Sequence, residues 1–223
     1  MNMDDIKLSN SRGSFDSPVI SARKYNLIIG AVLLYGFIAT LIITKTIGPI
    51  AIGIKPFALL IGYIVLVLAG SFIVNGSDKP LISFLGYNLI VLPIGVVLTS
   101  VTYSYDPGLI FRAVVVTACV TGIMMIISMI IPSFFLKLGR VLFLSLLLVI
   151  IVEILALFFS WHVFHVTDVI IAVIFCGYIG YDWVVAQRIE RTVDNAIDTA
   201  CNLYVDIVNL FLRILSIMDR SDD

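Results

Sequence analysis

The feature that most constrains this chain is a series of apolar runs, each close to 20 residues long, recurring from one end to the other. A helix crossing about 30 Å of hydrocarbon needs roughly 20 apolar residues. Runs of that kind lie near Tyr25–Thr44, Phe57–Asn75, Leu81–Val101, Leu109–Ile131, Val141–Phe159, Val166–Ala186 and Ala196–Met218. The breaks are short: Lys45 to Pro56, Gly76 to Pro80, Thr102 to Gly108, Pro132 to Arg140, Ser160 to His165 and Gln187 to Asn195. None has room for a soluble domain. Composition agrees, with 61% of the 223 residues hydrophobic and 13% charged, where soluble domains carry about 25% charged residues. The sequence predicts an all-α integral membrane protein, a bundle of seven transmembrane helices over residues 25–218. A polar tail, 1–24, precedes the bundle and a short polar tail, 219–223, follows it.

Lipid is thus the first partner. The amino-terminal tail has no apolar core near Met1 and no small-residue cleavage site, so the first span is expected to stay in the protein. Orientation follows from the distribution of Lys and Arg. With seven spans, one side of the membrane holds nine cations: Lys7, Arg12, Arg23, Lys24, Lys79, Lys137, Arg140, Arg188 and Arg191. The other side holds four: Lys45, Lys55, Arg112 and Arg220. The amino end is therefore expected in the cytoplasm and the carboxyl end outside. Short loops and compact termini favour a bacterial cell membrane. A net charge of −1 offers no basic field for nucleic acid. Cys119, Cys176 and Cys201 lie apart within apolar runs, without metal-ligand spacing, and are read as small buried hydrophobes. No cofactor is expected.

Ionisable groups inside a span are costly and mark function. Glu153 in span five, Asp182 in span six, and Asp198, Asp206 and Arg213 in span seven stand out as such groups. In span seven Asp198, Asn202, Asp206, Asn209 and Arg213 recur every three or four residues. At 100° per residue they fall within about 80° of one another. The opposite face is apolar. A helix lying flat on a membrane wants several cations on its polar face, and this stripe has one. Span seven is therefore expected to stand at the centre of the bundle, with Asp198, Asn202 and Asn209 lining or supporting a polar interior. If the turn before it is centred near Asp194, Asp182 and Asp206 lie equally deep, roughly 18 Å from the apex, and are expected either to face one another or each to bond separately to a neighbouring hydroxyl or backbone group. Two carboxylates a few Å apart resist double ionisation, so near neutral pH such a pair holds one proton between them. Glu153 and Arg213 lie within about 7 Å of one another in depth. They are expected either to pair, or to stand apart with Glu153 protonated and Arg213 reaching the surface.

Two segments carry a wider resemblance. Phe175-Cys176-Gly177-Tyr178-Ile179-Gly180-Tyr181-Asp182 is followed by Leu203-Tyr204-Val205-Asp206-Ile207-Val208-Asn209-Leu210-Phe211. Together they resemble the signature of the Bax-inhibitor family, the transmembrane Bax inhibitor motif proteins, and in particular its bacterial calcium-leak members. The match is dense over about the last 50 residues and co-linear over the rest. The resemblance implies seven helices around a central last one, and a pH-sensitive calcium leak governed by Asp182 and Asp206, with Tyr178 and Tyr181 beside them. Members of this kind can carry an arginine late in span two that latches onto the sixth-span aspartate. Here that stretch reads Phe72-Ile73-Val74-Asn75-Gly76-Ser77-Asp78-Lys79, with no arginine. The acidic residue that can follow span four is replaced by Pro132-Ser133-Phe134.

Three classes of function compete on these residues. A calcium or other cation pathway uses the carboxylates as oxygen ligands, although two carboxylates are an incomplete shell for calcium. Water, carbonyls and the amides of Asn202 and Asn209 would complete it. An intramembrane aspartyl protease also pairs two aspartates on adjacent spans. Its second aspartate normally follows a Gly-x-Gly arrangement, whereas Asp206 follows Leu203-Tyr204-Val205, and no Pro-Ala-Leu motif lies downstream. Serine chemistry fails as well, with His162 and His165 placed in a loop and no Gly-x-Ser-x-Gly present. The alternative is a regulatory protein without transport, which binds a membrane protease or another membrane protein.

Overall fold

The computed structural model describes residues 18–47, 53, 55–159 and 164–222. His162, the side chain of His165 and the amino-terminal tail as far as residue 17 lie outside the described residues. Among the described residues, seven helices follow one another: α1 Ala22–Thr46, α2 Pro56–Gly76, α3 Pro80–Thr102, α4 Pro107–Ile130, α5 Pro132–Phe159, α6 Phe164–Ala186 and α7 Val193–Asp222. Among the described residues there is no strand. All but α2 are long and apolar enough to cross a membrane, and α2 contributes a shorter apolar stretch, Ile61–Gly76. The chain is a multi-pass membrane protein.

The prolines that punctuate the sequence start helices more than they break them. Pro56, Pro80 and Pro107 open α2, α3 and α4. A first-turn proline gives up no helical hydrogen bond, and its fixed φ suits the helix. Asp106 caps α4 by accepting from the N–H groups of Gly108 at 2.7 Å and Leu109 at 3.1 Å. Thr192 caps α7, accepting from the Asn195 N–H at 3.1 Å. Hydroxyls within the spans turn back onto their own helices: Thr40 donates to Gly36 O, Thr99 to Gly95 O and Thr117 to Ala113 O. In hydrocarbon this satisfies groups that water would otherwise serve.

The helices gather into two units. One comprises the chain up to Ser104 with Arg188–Asn202, the other Tyr105–Gln187 with the chain from Leu203 onward. In the first, α1 and α2 both pack on α3. Gly70 and Gly86 make the α2–α3 approach possible, since a Cβ on Gly70 would lie 2.7 Å from Gly86 O. The start of α7 joins this unit by polar contacts. Tyr25 shares a 3.1 Å hydrogen bond with Thr199, Ser83 donates to Asp194 at 2.7 Å, and the Ile20 N–H donates to Arg191 O at 2.8 Å. The chain just before α1 is thus tied down within residues expected to form the tail. In the second unit α6 packs on α5 and α4. The later part of α7 meets the start of α4 through Leu215, Leu109 and Ala113.

α7 is the least apolar of the spanning helices, yet its apolar face is thoroughly covered. Ala196, Ala200, Leu203, Tyr204, Leu210 and Leu215 are buried. α5, the most apolar spanning helix, is mostly exposed within the protein, an apolar surface suited to lipid. α7 also continues to Asp222, past the expected end at Met218. The turn before it is not centred at Asp194. That residue lies in the first turn of α7, buried against Ser83.

Candidate functional site

α6 and α7 bring two carboxyl groups together. Asp182 and Asp206 are hydrogen-bond partners of one another. Asp206 is buried at 7% exposure, and its Oδ2 has no partner among the described residues. Asp182 is half-buried. An ionised carboxylate only accepts hydrogen bonds, so this contact requires a proton on one of the two. Among the described residues, the charges found to act on the pair are each other's.

Tyr178 stands one turn before Asp182 on the same face of α6 and lies in the field of both carboxyls. Its ring centroid is 6.0 Å from that of Phe175. Tyr181 turns the other way. Its ring rests against the backbone of Gly139 in α5, where a Cβ would approach to 2.8 Å. The remaining polar residues of the α7 stripe have separate surroundings. Asn209 donates its amide to Val205 O on its own helix at 2.8 Å. Asn202 is exposed. Asp198, in the first unit, is half-buried near Asp194 and Asp78, and its Oδ1 lacks a hydrogen-bond partner among the described residues. Late in α2, Asn75 donates to Ser71 O of its own helix at 2.8 Å.

A second polar cluster lies further along α7. Arg213 Nη1 is 3.2 Å from Glu153 Oε1 of α5 and 2.6 Å from Asp168 Oδ1 of α6. Asp168 Oδ2 in turn accepts from Arg220 at 2.8 Å and from Ser216 at 2.8 Å. Thr167 donates to Glu153 at 3.0 Å. Asp168 is almost fully buried, at 3% exposure. Tyr105, in the turn before α4, lies in the field of Asp219, Arg220 and Asp168. Burial first, and then the charge of Asp219, push its phenol above its ordinary range.

Sequence reasoning counted Glu153 and Arg213 but passed over Asp168, although it is the third residue of the sixth apolar run. It also counted Arg220 as an external tail charge, whereas Arg220 is part of this cluster. The missed signal was the helical spacing of Arg213, Ser216 and Arg220, three and four residues apart on one face, which needs an acid on a neighbouring helix. Asp194 was treated as a turn marker, and its bond to Ser83 was likewise not foreseen. Among the described residues, no three His, Cys, Asp or Glu side chains gather closely enough to hold a metal ion.

An all-helical membrane protein with an acid pair joining its last two helices is a narrow class. The family model described as "Inhibitor of apoptosis-promoting Bax1" matches residues 19–223, and the chain belongs to this family, the Bax inhibitor family. Two Helicobacter pylori proteins, both titled uncharacterized, are 31% identical over 118 residues and 30% identical over 118 residues. A "BI1-like protein" of Arabidopsis thaliana is 38% identical over 92 residues. These matches cover 52% of this chain in the Helicobacter pylori cases and 39% in the Arabidopsis case. The matched stretch spans half the length of the bacterial relatives (50%) and a third of the plant one (34%).

Proposed function

We propose that the protein is a calcium leak pathway whose opening and cation affinity follow the protonation of the Asp182–Asp206 pair. The observation that carries this reading is the hydrogen bond between the two carboxyls, whose charges act on one another with no basic side chain among the described groups that act on them. Such a pair has two states. With one proton it is closed on itself and singly negative. Without the proton it is doubly negative, repels itself and offers two hard oxygen groups to a divalent cation. Proton and calcium therefore compete, and calcium affinity rises with pH. Calcium is the cargo in this account, not a resident cofactor, and water or backbone carbonyls complete its shell. The pair differs between its two forms in what it binds, so a change of protonation shifts the α6–α7 equilibrium. Membership of the Bax inhibitor family supports the same reading. The protein acts as a conduit, not as an enzyme.

The distribution of Lys and Arg supports a cytoplasmic amino end in a cell membrane. A reporter fused after Asp223 is then external; a cytoplasmic reporter contradicts seven crossings. The test of function is calcium entry into sealed vesicles holding the purified protein alone. Flux that depends on the protein and on pH supports the leak. Vesicles that stay tight favour a regulatory protein that acts through a membrane partner.

A further inference from the structure

The buried face of α4 is a stripe of small and hydroxyl side chains. Ala113, Thr117, Thr121 and Ser128 are buried on it at steps of four, four and seven residues, one side of a helix. A buried hydroxyl in a membrane helix ordinarily returns to its own backbone. Thr117 does so, donating to Ala113 O at 2.7 Å, and Ser128 donates to Met125 O at 2.9 Å. Thr121 does not. It is buried at 8% exposure, and its Oγ1 has no hydrogen-bond partner among the described residues. Burying a hydroxyl without a partner is costly, so this oxygen calls for a role outside the packing of the helix.

A second buried oxygen has the same character. Asp206 is 7% exposed and its Oδ2 has no partner among the described residues. Both residues belong to the second unit, in which the register of α4 against α7 is given by Leu109 and Ala113 packing on Leu215. Two further spanning helices separate α4 from α7 in the chain, so the two run in opposite directions. Thr121 lies eight residues beyond Ala113, and Asp206 nine residues before Leu215. At 1.5 Å per residue these are about 12 Å and about 14 Å along the axes. The two unpartnered oxygens therefore lie at one depth to within about 2 Å. α4 also packs on α6, which carries Asp182, the hydrogen-bond partner of Asp206.

Two carboxylates leave the shell of a hard cation incomplete. Among the described residues no third His, Cys, Asp or Glu joins them. The Asn209 amide is committed to Val205 O, and Asn202 is exposed. A threonine hydroxyl is a neutral hard oxygen with two lone pairs. We propose that Thr121 is a further ligand of the permeating cation, its Oγ1 adding a neutral oxygen to those of Asp182 and Asp206. The inference rests on the proposed leak, in which calcium is the cargo. A neutral ligand fills the shell without adding charge, which suits a pathway that must release its ion as well as take it up.

The test uses the full chain in detergent at one fixed pH. Calcium affinity is measured by displacement of luminescent terbium, and melting temperature is recorded without calcium. Thr121→Val replaces the hydroxyl by a methyl group of similar size. It is expected to weaken calcium binding about tenfold, the scale of one polar contact to a charged partner. It is also expected to raise the melting temperature, because a buried group without a partner is removed. Thr121→Ser keeps the oxygen and is expected to bind calcium as the wild type does. A merely structural hydroxyl gives the reverse pattern, lower stability with unchanged affinity. A valine variant that binds like the wild type overturns the proposal, and so does a serine variant as weak as the valine one. If the valine variant does not fold, Thr121→Ala removes the same oxygen and is read in the same way. Asp206→Asn separates the two levels. Binding lost in Asp206→Asn but intact in Thr121→Val keeps the acid pair and discards Thr121. Binding that survives Asp206→Asn, or a wild type that binds no terbium, contradicts the cation site at the pair and the proposed leak with it.

Discussion

The acid pair and the arginine cluster lie on the same helix and solve opposite problems. At Asp182 and Asp206 two acids meet with no base among the described groups that act on them. At Glu153, Asp168, Arg213 and Arg220 two acids meet two bases, and the hydroxyls of Thr167 and Ser216 take up further lone pairs. Burying a charge is tolerable where it is paired and hydrogen-bonded. The cluster meets that condition with its own side chains. On the proposed function, the pair meets it by holding a proton or a cation. One end of the contact region of α7 is thus fixed by composition, and the other depends on what the surroundings supply.

The largest expected effect falls on the fixed end. Asp168→Asn removes a buried acceptor from Arg213, Arg220 and Ser216 at once and should cost about 3 kcal/mol, measured by unfolding in detergent. Asp206→Asn should cost less than about 1 kcal/mol, because the amide N–H takes the place of the shared proton in hydrogen-bonding Asp182. Equal losses would erase the distinction between the two regions. A double-mutant cycle sharpens it. Glu153→Gln and Arg213→Gln should each destabilise, with the double change cheaper than their sum by about 1 kcal/mol. Additive losses would remove that pair from the cluster. The smallest effect belongs to Asn209→Ala. Its amide bonds only to its own helix, so stability should change by less than about 0.5 kcal/mol and the pH profile of calcium flux should not move.

Much of this was legible in the sequence because membranes simplify the reading. Backbone groups in hydrocarbon must be satisfied within a helix, so apolar length alone announces the helices. The meeting of Asp182 and Asp206 was expected from depth, but by a route the structure does not follow. The first turns of α7 go to Tyr25 and Ser83, so the two helices are not a symmetrical hairpin about Asp194. Asp168 escaped because it sits near a helix start, where an acid reads as a boundary. Its partners lie 45 and 52 residues away in sequence, at Arg213 and Arg220, and only packing brings them together. The contact of Tyr181 with Gly139 was invisible for a similar reason. Glycines in an apolar run do not say which ring will cover them.

The central claim is that proton and calcium compete for one acid pair, and its most direct test is calcium flux against pH in sealed vesicles. Wild type, Asp182→Asn and Asp206→Asn are compared at equal protein density. The account predicts a flux that changes with pH in the wild type and a flattened profile in both variants, with calcium affinity rising with pH only where both acids are present. Variants that keep the wild-type profile would show that the pair is not the sensor.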